Sequence, residues 1–62
     1  MIVTYQVQGF RKDLERLRKA LWNSGRISSA ISPKGTLFVT IRNAGELKKL
    51  QSACNALGLV YH

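Results

Sequence analysis

Sixty-two residues leave room for a single domain, 1–62, around one thin core, because a chain this short buries only about 60% of the surface it exposes when unfolded. The only cysteine cannot form an internal disulfide, and one histidine leaves a zinc site short of ligands, so self-association is the remaining way to add stability. Ten Lys and Arg against three acids give a net charge of +7, an excess that points to polyanions, nucleic acid first.

Ile2 to Gln8 alternates, with Val3, Tyr5 and Val7 on one side and Ile2, Thr4 and Gln6 on the other, and its β-branched content predicts a first strand. Gly9 ends it. From Phe10 the period becomes helical: Phe10, Leu14, Leu17 and Leu21 share one stripe, which predicts a helix to about Asn23 with that stripe in the core and Gly25 as the stop. Arg26 to Ser32 alternates again, Ile27 and Ile31 against Ser28, Ala30 and Ser32, and its low apolar content suits an edge strand.

Ser32-Pro33-Lys34-Gly35 reads as a tight turn. It leads into Thr36 to Arg42, the expected central strand, where Leu37, Val39 and Ile41 form a core face and Thr36, Phe38, Thr40 and Arg42 a polar face with a single aromatic. Asn43 and Glu46 are spaced as a capping pair. Ala44, Leu47, Leu50, Cys54 and Leu57 then predict a second helix over Ala44 to Leu57, stopped by Gly58, with Leu59 packing back on its last turn. Leu59 to His62 is left for a short fourth strand.

The order β-α-β-β-α-β, with right-handed crossovers, predicts an α+β two-layer sandwich of the ferredoxin-like class, both helices on one face of an antiparallel sheet. In the alternative, Leu59 to His62 is too short to pair and a three-stranded sheet exposes an edge. The N-terminus lacks a signal-peptide pattern and no apolar run reaches membrane-spanning length, so a cytoplasmic protein without membrane contact is expected.

For catalysis the chain offers Asp13, Glu15, Glu46, Cys54 and His62, and these form no set. Asp13 and Glu15 diverge around the helix near basic neighbours, and Cys54 falls on an apolar stripe, so no enzyme and no cofactor are expected. The basic residues are more informative. Arg11, Lys12, Arg16, Arg18 and Lys19 place half of the positive charge on the first helix, and Arg26 follows it. Lys12, Arg16 and Lys19 lie opposite the leucine stripe, while Arg11, Arg18 and Trp22 share one flank. Trp22 either pairs with Arg18 through a cation-π contact, stacks on a base or enters a partner protein's pocket, or else folds over the rim of the core.

Lys34 to Ile41 resembles the octamer of the RNA-recognition motif, matching at Lys34, Gly35, Phe38 and Val39. The resemblance implies that Phe38 stacks on a base from the open sheet face. It departs at Thr36, Leu37 and Ile41, and Tyr5 falls on the core-facing side of the first strand, leaving Phe38 without an aromatic companion. The expectation is a non-enzymatic module binding RNA or single-stranded DNA through Arg11, Lys12, Arg16, Arg18, Lys19, Arg26, Phe38 and Arg42. The alternative is a small inhibitor or adaptor that docks on an acidic or nucleic-acid-like groove of a larger protein, with Trp22 and Arg18, or the exposed edge of the second strand, as its contact. A homodimer is expected, and where Phe38 does not stack on a base it is expected to pack against a second copy.

Overall fold

Alternation and helical period give the six elements in the order of the hydrogen-bonded ones, with bounds that differ most at the first helix and at the second strand, which pairs over Ser29–Ile31 and not from Arg26. The computed structural model describes residues 2–62 and contains β1 (Val3–Gln8), α1 (Arg11–Gly25), β2 (Ser29–Ile31), β3 (Thr36–Ile41), α2 (Ala44–Leu57) and β4 (Val60–Tyr61). The four strands form one antiparallel sheet in the order β2-β3-β1-β4. β1 pairs with β3 from Val3 opposite Ile41 to Gln8 opposite Thr36. β2 sets Ala30 opposite Phe38, and β4 sets Tyr61 opposite Val7. Each helix therefore joins two strands that run the same way with a third between them.

One sheet face is covered. Val7, Leu37, Val39 and Ile41 meet Leu14, Leu17 and Leu21 of α1 and Leu50 and Cys54 of α2, with Ile27 completing the buried cluster. Because a strand turns alternate residues to opposite faces, this leaves Thr4, Gln6, Gln8, Thr36, Phe38, Thr40, Ala30 and Val60 on the open face. Among the described residues no helix is long and apolar enough to cross a membrane.

The start and end of α1 differ from expectation. Phe10 is not part of the core stripe: it is 82% exposed. It occupies the N-cap position with extended backbone (φ −67°, ψ 143°), and its carbonyl accepts the Asp13 and Leu14 N–H groups at 3.0 Å each. The helical period positions side chains only where the backbone is helical, and Phe10 lies one residue outside. Gly25 is not the stop either. The helix runs through it, and Arg26 takes the left-handed conformation at φ 51°, with the Ile27 N–H reaching the Leu21 carbonyl at 3.2 Å. At Gly25 an added Cβ would lie 2.7 Å from Lys49 Nζ, which donates to the Ser24 carbonyl at 2.9 Å. The end of the Lys49 side chain thus passes over this glycine between the helices.

The turn before β3 and both ends of α2 follow the expected chemistry. Gly35 closes the turn, its N–H on the Ser32 carbonyl at 3.0 Å, while Ser32 Oγ accepts the Thr36 N–H at 3.2 Å. Asn43 Oδ1 accepts the Glu46 N–H at 2.9 Å. Glu46 Oε1 reaches one residue beyond the cap and accepts the Arg42 N–H at 2.8 Å. Gly58 ends α2 at φ 68°, with the Leu59 N–H on the Cys54 carbonyl at 2.8 Å and the Gly58 N–H on the Asn55 carbonyl at 3.3 Å, the paired bonds of a Schellman ending. The last segment does pair. Besides the β4 register, Gln6 and His62 exchange N–H···O=C bonds of 2.7 and 2.9 Å, so the sheet has four strands and not three.

Candidate nucleic-acid interface

Burial of Leu14, Leu17 and Leu21 fixes the rotation of α1 and turns Lys12, Arg16 and Lys19 to solvent. These three, with Glu15 and Arg18, line a shallow depression of about 360 Å³. Glu15 is 3.8 Å from Arg11, the one ion pair among the described residues, and both side chains are mostly exposed. Such a pair is weak and screened by salt. Among the described residues Lys12, Arg16 and Lys19 form no ion pair, with Glu15 the one carboxylate lining their depression.

On its other flank α1 faces α2 across a groove of about 390 Å³, lined by the small residues Ala20, Ser24, Ser52 and Ala53 and by Lys48 and Lys49. Five basic residues on α1 and two on α2 make the helical layer cationic. The open sheet face is its opposite: its strand positions hold Thr, Gln, Ala, Val and Phe38, and no charged residue.

The sequence-derived candidates therefore separate. Lys12, Arg16, Arg18 and Lys19 come together along α1, with Arg11 at the start of the helix and Arg26 just past its end. Phe38, 38% exposed, lies in the other layer between Ala30 and Gln6. Arg42 lies beyond the end of β3, beside an apolar pocket of about 360 Å³ formed with Val3, Tyr5, Ile41 and Leu47. Tyr5 makes an edge-to-face contact with Tyr61, ring centroids 5.5 Å apart, consistent with its place on the covered side of the sheet.

Trp22 is 55% exposed. Together with Arg18 it overhangs β2, and the two line a pocket of about 300 Å³ with Ile27, Ser28 and Ser29. Sequence patterning missed Ser29. Its hydroxyl oxygen is buried and has no hydrogen-bond partner, and only its place on the core-side parity of a weak strand hinted at it. Cys54 is packed into the core, where burial pushes its thiol pKa up, so the neutral form is favoured. Among the described residues no three His, Cys, Asp or Glu side chains gather as a metal site would require. No protein-family model matches the chain, and neither a curated protein nor a solved structure does.

Proposed function

We propose that this chain is a non-enzymatic module of the ferredoxin-like class that binds the phosphate backbone of RNA or single-stranded DNA through its helical layer. The observation that carries this reading is the row of Lys12, Arg16 and Lys19 on the solvent face of α1, none of them in an ion pair among the described residues. Four and three residues apart on a helix, they rise about 6 and 4.5 Å along the axis, a repeat suited to successive phosphates. The two crossovers, each skipping one strand, support the fold class.

The uncharged sheet face enters this reading only as the far side of the molecule. A single strand lying along α1 does not reach Phe38, so binding is driven by phosphate contacts and is largely indifferent to sequence. The test is titration of fluorescent single-stranded RNA and DNA across a salt series. Native protein should lose affinity with a slope of about −0.7 per phosphate neutralised. Reversing Lys12, Arg16 and Lys19 to Glu should abolish binding with the fold intact, and Phe38→Ala should leave affinity within about twofold, since it removes no phosphate contact. A Phe38→Ala loss of about 1 to 3 kcal/mol, the size of one stacked base, with the triple variant unaffected, would move the site to the sheet. Equal competition by heparin would overturn the reading altogether.

A further inference from the structure

We propose that the free edge of β2, beneath Arg18 and Trp22, docks an extended acidic segment of a partner protein, which joins the sheet as a fifth strand. The phase of the ladder shows which backbone groups are open. Ser32 donates to the Thr36 carbonyl at 2.8 Å and Thr40 donates to the Ser28 carbonyl at 3.1 Å, so Ser28, Ala30 and Ser32 bond to β3. Hydrogen-bonded and non-bonded pairs alternate along an antiparallel ladder. The N–H and C=O groups of Ser29 and Ile31 therefore point away from β3, and β2 is the outermost strand. Such a row is a template for another strand.

The usual defences of an edge are thin here. Ser29, Ala30 and Ile31 include no charge and no proline, and Pro33 comes only after the strand. The pocket beside the edge adds selectivity. Trp22 and Ile27 supply an apolar wall and Arg18 supplies charge, while the Ser29 hydroxyl, without a hydrogen-bond partner among the described residues, lies buried beneath. Alternate side chains of an added strand would enter this pocket.

Charge selects the occupant. No acid lines the pocket: Glu15 is beside Arg11 and Glu46 is held by the Arg42 N–H. Arg26 adjoins Ile27 in sequence and is exposed. A second copy of the chain would bring another +7 to this edge, whereas an acidic segment brings the complement.

The test uses the intact chain and a blocked heptapeptide, EVEVEVE, followed by the emission of Trp22, the single tryptophan. Saturable binding with a blue shift is expected. It should weaken at least tenfold when lysine replaces glutamate in the peptide, when alternate peptide amides are N-methylated to remove the strand-pairing donors, and in Arg18→Glu. Ser29→Pro should weaken binding comparably, since it deletes an outward N–H and no bond to β3, the position at which an edge strand tolerates proline. If that variant fails to fold, the N-methylated peptide on the native chain still decides. No binding at millimolar peptide, or equal binding of the lysine or N-methylated peptide, overturns the proposal. So does displacement of the peptide by a single-stranded oligonucleotide whose own effect on Trp22 is lost in Arg18→Glu, since the pocket would then belong to the nucleic-acid surface.

Discussion

Arg26 holds a conformation that costs an L-residue with a long side chain about 1 to 2 kcal/mol, at φ 51° and ψ 40°. Arg26→Gly removes that cost and returns about 0.4 to 1 kcal/mol to the unfolded chain as entropy, so a net gain of about 0.5 to 1 kcal/mol is expected in urea denaturation. Glycine enrichment at helix ends pointed to Gly25 as the stop. What lies over the residue is the end of the Lys49 side chain on its way to the Ser24 carbonyl, and a contact spanning 25 positions leaves no local pattern. Phe10 was misread by the same route, since its spacing fits the stripe while its backbone is not helical. Cys54 was legible, because a cysteine at helical spacing with leucines packs as they do. Its raised thiol pKa means that the folded state favours the neutral form. The associated stability is complete below the unfolded thiol's pKa and is lost as pH rises through the folded one. Denaturation midpoints should therefore fall on the alkaline side of the ordinary thiol range in native protein and fall less in Cys54→Ala, compared over the same pH series.

α2 was legible end to end because its signals are local: Asn43 caps, Glu46 reaches back and Gly58 turns the chain. Removing the cap should show it. Asn43→Ala leaves the Glu46 N–H without its acceptor and is expected to cost about 1 kcal/mol by chemical denaturation. β3 was equally clear, since one wholly buried face writes a strict alternation. β2 was not, because Ile27 leaves the ladder to sit under the end of α1, its N–H on Leu21, and the alternation continues where pairing has not begun. α1 carries the heaviest share of the core, three fully buried leucines. Leu17→Ala should cost about 2 to 5 kcal/mol, against a total that for 62 residues is about 3 to 9 kcal/mol. Far-UV circular dichroism should find that variant partly or wholly unfolded at 37 °C.

The net charge and the proposed binding row on α1 set opposite expectations for added salt. The wheel of α1 identified Lys12, Arg16 and Lys19 as outward, and parity set Phe38 on the open face, yet neither local rule says that a ligand of ordinary size meets one surface and not both. That follows from the sandwich, whose extents are 27 × 20 × 19 Å. Within such dimensions +7 of net charge repels itself, and the repulsion is screened once the Debye length falls to about 10 Å, near 0.1 M salt. Raising salt from low ionic strength should therefore stabilise the fold. A relief of about 0.5 kcal/mol corresponds to about 2 to 4 °C in Tm for a domain of this size. Nucleic-acid affinity should move the other way. Three phosphate contacts at about −0.7 each give a slope of about −2, a loss of about 20-fold between 50 and 200 mM. Thermal melts and oligonucleotide titrations on one buffer series measure both signs together. Affinity that fell with salt while Tm also fell would mean that the cations stabilise the fold through contacts with its few acids, and the unpaired row on α1 would lose its standing as a binding surface.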